Sequence, residues 1–237
     1  MARLTQTAEL FDNAAQYYDR IDSFFSFGNG RRYRNRALQR LNFLPGMMVL
    51  DVACWTGLTS EPATRRVTST GLVVGVDSSI EMLRIATRTN RVSGAIQGAA
   101  EKLPILDNRF DLVTMAYGLR HVSDLLVTFK EYFRVLKPGG VLLILEFASF
   151  GPTLGSNLFR LYLKFAVPFL TRLSTFNRHA KSMMSYCCET IEGCYQPEHI
   201  CAELRNAGFS EVNNILDYGL LSQYTAIKDR NNEKIGI

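Results

Sequence analysis

The stretch "MVLDVACWTG", residues 48–57, decides the fold. An apolar run over 48–53 carries Asp51, and small residues lead from it to Gly57. A buried strand, a tight turn of small residues and then a helix make a nucleotide-binding arrangement, because the turn's backbone must come close to its ligand. Trp55 stands where such a turn carries a glycine. A second acid, Asp77, closes the next apolar run, 20 residues after Gly57. A carboxylate there accepts hydrogen bonds from ribose hydroxyls; a helix N-cap is the other reading of Asp77.

Working outward, five apolar runs read as strands: 48–53, 72–77, 94–99, 110–117 and 140–149. They are continuous rather than alternating, as expected where helices cover both faces of a parallel sheet. Helical patterns separate them. The segment 78–90 opens on serine caps, and 125–140 ends in Lys-Pro-Gly-Gly, a helix stop. After these come a helix, a stop at Gly208 and two strands joined by a turn. The expected fold is α/β: a Rossmann-like, doubly wound, mostly parallel seven-stranded sheet with a C-terminal antiparallel hairpin and helical lid segments. Residues 1–237 read as one domain: a helical lid (1–45), a ligand-binding core (46–149), a helical insertion (150–195), and the last helix and hairpin (196–237).

Composition bounds the function. At 47% hydrophobic and 21% charged residues the chain is an ordinary globular protein. The net charge of +5 is mild, and the basic residues that bunch in "GRRYRNRALQR", 30–40, come with no nucleic-acid motif. A solvated helix face or an approach to anionic lipid or substrate accounts for them. The first 20 residues have no apolar signal core, and the greasy stretch 158–173 is interrupted by Arg160, Lys164 and Pro168. A cytoplasmic protein is expected. Peripheral membrane contact and a homodimer both stay open. The five cysteines match no zinc spacing and read as reduced, buried thiols, with no metal.

The motifs "LFDNAAQYYDRID", "LDVACWTG", "GVDSSIEML", "AEKLPILDNRFDLVTMAYGLRHVSD", "EYFRVLKPGGVLLILEFA" and "AELRNAGFSEV" run through nearly the whole chain. They resemble class I S-adenosylmethionine-dependent methyltransferases, and more narrowly the ubiquinone/menaquinone biosynthesis C-methyltransferase family. The resemblance implies S-adenosylmethionine as cofactor and a small lipophilic acceptor, quinol-like or a natural product, methylated at carbon. It places Asp51, Ala53, Trp55 and Gly57 on the methionine and ribose side, Asp77 on the ribose, and Met82, Ala100 and Glu101 around the adenine. Tyr117, Gly118, Leu119 and Arg120 fall between cofactor and acceptor, and Tyr18 and Asp19 close a lid over both.

The catalytic candidates are Arg120, His121 and Tyr18. Arg120 would stabilise a phenolate or form a structural ion pair; His121 would act as a base, orient a water, or simply fill a core or capping position. The chain departs from the family pattern at Trp55, Leu58, Ala99, where an adenine-binding Asp or Asn is usual, and His121, where Asn is usual. These departures keep a second reading alive, in which the fold serves a cyclisation or rearrangement and the cofactor is lost or structural. Finally, the segment 154–173, rich in Phe and Leu, is expected to wall an apolar acceptor pocket.

Overall fold

The computed structural model describes residues 8–26, 28–148, 158 and 160–230. Seven strands form one sheet in the order β3-β2-β1-β4-β5-β7-β6. They are β1 (Met48–Val52), β2 (Leu72–Asp77), β3 (Gly94–Gln97), β4 (Phe110–Ala116), β5 (Leu136–Phe147), β6 (Ser210–Asp217) and β7 (Leu221–Ile227). The pairs from β3 through β5 are parallel, and β5–β7 and β7–β6 are antiparallel. The five apolar runs and the terminal hairpin are therefore strands, as the sequence predicts. At the hairpin, Tyr218 and Gly219 both have positive φ and Leu220 N–H returns to Asp217 O, which is the tight turn that matches strand twist.

Alternation along the strands builds two apolar layers. Leu50, Val74, Val113 and Leu142 face one side, where they meet Phe129 and Tyr132 of α5 (Leu125–Val135) and Leu204 of α8 (Pro197–Asn206). Val49, Val73, Leu112 and Leu143 face the other, against Leu38 of α2 (Gly30–Gln39) and Val67 of α3 (Ser60–Val67). Each such buried aliphatic side chain contributes about 1.5–3 kcal/mol. The helices start where a side chain satisfies a free N–H. Ser79 Oγ accepts from Met82 N at the head of α4 (Ile80–Arg88), and Asp124 accepts from Val127 N at the head of α5.

A third apolar cluster covers the carboxyl edge of the sheet. Phe11, Ala15 and Ile21 from the N-terminal segment meet Trp55, Met82 and Phe147 there. Met183 and Ile191 of α7 (Arg178–Glu192) join them, as does Leu163 from a π turn over Tyr162–Ala166 that leads into α6 (Val167–Thr175). Ile21 belongs to α1 (Tyr18–Phe25). The two segments outside the core thus pack on each other over the sheet edge.

One boundary differs from the sequence reading. The helix over 125–140 ends at Val135, and Lys-Pro-Gly-Gly lies inside β5 as a bulge between the pairs Phe110↔Leu136 and Leu112↔Val141. Gly139 holds the bulge with φ +81° and donates to Lys228 O, while Lys137 pairs with Asp111. Lys228 Nζ in turn donates to Asn108 Oδ1 and to the carbonyls of Phe133 and Leu136. Lys228→Met would strip charge-assisted bonds from these groups and should cost about 3 kcal/mol. Urea unfolding measures it; a loss under about 1 kcal/mol would show that water replaces the amine.

Candidate active site

The order of the sheet reverses between β1 and β4, and the turns after these strands bound a crevice at their carboxyl ends. Open α/β sheets bind ligands at such a point. The turn after β1 is held in an uncommon backbone. Ala53 and Trp55 have φ of +51° and +54°, and Tyr117, after β4, has +59°. Such conformations cost a non-glycine residue about 1–3 kcal/mol each and persist only where surroundings enforce them. The enforcing group is Asp77, whose carboxylate accepts Trp55 N–H and Ser79 N–H, both at 2.9 Å.

Two cavities flank the turn. The smaller, of ≈ 70 Å³, is lined by Ala53, Trp55, Asp77, Ala99, Ala100 and Glu101, with Phe11, Gly118 and His121 closing it. A water needs about 10–15 Å³ of such space, so the cavity holds a few waters and takes part of a nucleoside, not the whole. The larger, of ≈ 550 Å³, is lined by α1 and α2 (Tyr18, Asp22, Tyr33, Arg34), by Tyr117, Arg120 and Phe147, and by Met183, Met184, Cys187 and Ile191 of α7. The indole of Trp55 and the ring of Tyr18 stack between the two, 5.3 Å apart and 6° from parallel. Phe11 meets the same indole edge-on at 4.4 Å, and Trp55 Nε1 donates to Ala116 O. The tryptophan in the turn is therefore a partition.

Of the residues the sequence singles out, Ala53, Trp55, Asp77, Ala100, Glu101 and His121 line the small cavity, and Tyr18, Tyr117 and Arg120 the large one. Asp51, Gly57 and Met82 line neither. Asp51 lies beneath the turn, accepting from Ser60 Oγ and Thr114 Oγ1. Gly57 is needed for packing: a Cβ there would stand 2.8 Å from Arg91 Cβ and 3.3 Å from Ala86 Cβ. Met82 is fully buried in the cluster at the sheet edge. The expected wall of 154–173 is replaced by α7: Phe165 and Phe169 face outward, and residues 154–157 and 159 lie outside the described ones. Sequence reasoning places Asp19 in the lid but misses Asp12. Asp12 accepts from Ser79 Oγ and Glu81 N, and Asp19 accepts from Thr56 Oγ1 and pairs with Arg91.

Electrostatics separate the two cavities. Burial pushes the Asp77 carboxyl up to about 6, against the two N–H bonds that favour its charged form, and Asp51 likewise to about 6. The large cavity is cationic. Arg34 makes two bonds to Asp22 and sits 5.0 Å over the Tyr117 ring, and Arg120 pairs with Glu146 at 2.7 Å and reaches Thr190. The structural ion pair expected as one reading of Arg120 is thus present. His121 stacks on Tyr186, with Nδ1 3.2 Å from its hydroxyl, on the small-cavity side of Trp55. All five cysteines are buried, and burial pushes the thiols of Cys188 and Cys194 up to about 12.

The donor set fits the nucleoside end of S-adenosylmethionine: a buried carboxylate for a diol, and a pocket between Val52, Met115 and Val122 for a flat base. Ala99 offers that base no side-chain hydrogen bond. The Trp55 indole closes one side of that pocket.

A family model described as the ubiE/COQ5 methyltransferase family matches residues 2–228. A demethylmenaquinone methyltransferase of Renibacterium salmoninarum is 34% identical over 231 residues, covering 96% of this chain and 94% of its own. One of Staphylococcus saprophyticus is 37% identical over 214 residues, 89% and 91% of the two chains. Among solved structures, phosphoethanolamine N-methyltransferase 2 of Haemonchus contortus, in complex with S-adenosyl-L-methionine, superposes with a TM-score of 0.69 at 18% identity, over 94% of this chain and 60% of that one.

Two outcomes follow from the partition and the raised carboxyl. Trp55→Gly removes the indole and relieves a positive φ, so affinity for S-adenosylhomocysteine should rise about tenfold by calorimetry. Stability should fall by roughly 3 kcal/mol as the stack is lost. Unchanged or weaker affinity would make the indole a wall of the bound site. For wild type, a ribose bound at Asp77 would need the ionised carboxylate as its acceptor. Affinity should be flat above about pH 7 and about tenfold weaker one unit below the Asp77 value, as protonation removes the acceptor. A pH-independent affinity that survives Asp77→Ala would remove this residue from ligand binding.

Proposed function

We propose that this chain, which belongs to the ubiE/COQ5 methyltransferase family, methylates a ring carbon of a lipophilic, quinol-type acceptor held in the larger cavity. It is an S-adenosylmethionine-dependent methyltransferase, and its relatives carry the name demethylmenaquinone methyltransferase over nearly their full length. The observation that carries the acceptor reading is the pairing of cavities. A small space with a buried carboxylate lies beside a much larger one with mostly apolar walls and four arginines. The alternative, a fold recruited to cyclisation or rearrangement, is not favoured by relatives named as methyltransferases.

S-adenosylmethionine supplies an electrophilic methyl group when bound. The chain supplies position and charge. Asp77 and the turn at Ala53 hold the nucleoside end, and Glu101, accepting from Ser123, fixes the far wall. Phe147, Met183, Met184 and Ile191 give the acceptor ring an apolar bed that excludes water. Arg34 and Arg120, kept in place by Asp22 and Glu146, make the cavity electropositive, so a hydroxyl on the ring loses its proton more easily. Asp22, the carboxylate among the lining residues, is held by two bonds to Arg34, so that proton leaves to solvent. The ring carbon then takes the methyl group, and the proton at that carbon leaves to solvent. Tyr18 closes the lid side, and His121 positions the turn from the nucleoside side rather than acting on the acceptor.

A short-chain demethylmenaquinol incubated with the cofactor should gain one methyl on a ring carbon, read by mass and NMR, while the oxidised quinone should not react. Leu221→Trp, which fills the larger cavity, should raise KM for the acceptor roughly tenfold and leave S-adenosylhomocysteine affinity unchanged. Failure of both redox forms would refute the acceptor class.

A further inference from the structure

The outer face of the insertion is apolar and covered by nothing among the described residues. Leu158, Leu161, Phe165, Phe169, Leu173 and Phe176 are all exposed, the three phenylalanines at 60%, 64% and 86%. The first five, spaced three and four residues apart, lie in one stripe along the helical run that ends in α6, and Phe176 follows at its left-handed C-cap. Solvated helices do not keep so many large apolar side chains in water, so the stripe marks an interaction face.

Charge selects the partner. Between Glu146 and Glu189 the sequence has no Asp or Glu, while Arg160, Lys164, Arg172, Arg178 and Lys181 are all basic. Lys164, Arg172, Arg178 and Lys181 are exposed beside or within the stripe. A second copy of the chain on this face would set like charges against like, with no acid in the segment to pair them. An anionic lipid surface neutralises the same charges and takes up the same rings. No helix among the described residues is long and apolar enough to cross a membrane, so the element lies in the interface and does not span it. The placement fits the chemistry: α6 packs on α7, and the inner face of α7 lines the larger cavity.

We infer that the stripe from Leu158 to Phe176, with Lys164, Arg172 and Arg178, is a docking surface for an anionic phospholipid membrane. The purpose of this docking rests on the reading of the larger cavity as a lipophilic acceptor's site, but the binding itself does not.

The test is co-sedimentation of the full chain with vesicles of phosphatidylcholine alone or mixed with phosphatidylglycerol. Binding to the mixed vesicles should be roughly tenfold or more stronger and should weaken with added salt. Leu161→Ser/Phe165→Ser/Phe169→Ser and, separately, Lys164→Glu/Arg172→Glu should each lose roughly tenfold or more, with unchanged unfolding temperatures because these side chains are exposed. If the serine variant does not fold, the charge-reversed one decides. Equal binding to both vesicle types, wild-type binding by the variants, or a dimer that the serine variant converts to monomer would each overturn the proposal. Methylation of a water-soluble short-chain acceptor, measured without vesicles, reports separately on the acceptor reading.

Discussion

The carboxylate of Asp77 is the constraint on which the rest depends. It stands at the end of β2 and takes one N–H from the turn after β1 and one from the head of α4. Each of those donors is buried, and stranding a buried donor costs about 1–3 kcal/mol. The bond to Trp55 N–H ties that residue, which sits in left-handed backbone, to the end of β2. The group that braces the turn also lines the smaller cavity, so under the proposed function fold and ligand would share a single anion. A carboxylate has about four lone-pair positions, and the two N–H bonds leave room for further donors.

Around that anion the lid is fastened by charge as well as by rings. Asp12 caps the start of α4 from outside, and Asp19 bridges Thr56 and Arg91 on either side of Gly57. Phe11 and Tyr18 then clasp the indole from two directions. These contacts close the carboxyl edge and bury an apolar cluster that neither the sheet nor the insertion could cover alone. The same closure divides the crevice, leaving the small space beside Asp77 on one side and the cationic cavity on the other.

Much of this was legible in the residues. Strand positions followed from apolar runs such as 72–77 and 110–117, and the hairpin from two strand-like runs joined by a turn after Gly208, because those signals are local. The bulge at Lys137–Gly140 was not, since its stop signal is the same for a helix ending and a strand kinking, and only Lys228, far along the chain, decides between them. Asp77 could be placed from its spacing to Gly57, and Ala53 and Trp55 from the resemblance of the turn. The direction of the Trp55 ring could not, because it is set by Phe11 and Tyr18, whose contacts span about 40 residues of sequence. Asp51 and Gly57 share the motif with the ligand-facing residues, yet one braces the turn from below and the other makes room for Arg91. A motif records what a turn requires, and part of that requirement is packing.

Trp55 is also the chain's single tryptophan. All indole emission therefore arises from the wall between the two cavities. Stacked on Tyr18 and held by a hydrogen bond to Ala116 O, the ring is shielded from solvent. Opening of the lid, and with it the joining of the two spaces, would bring water to the indole and shift its emission to the red. The protein thus carries its own optical gauge of lid closure, placed by evolution of the turn rather than by labelling.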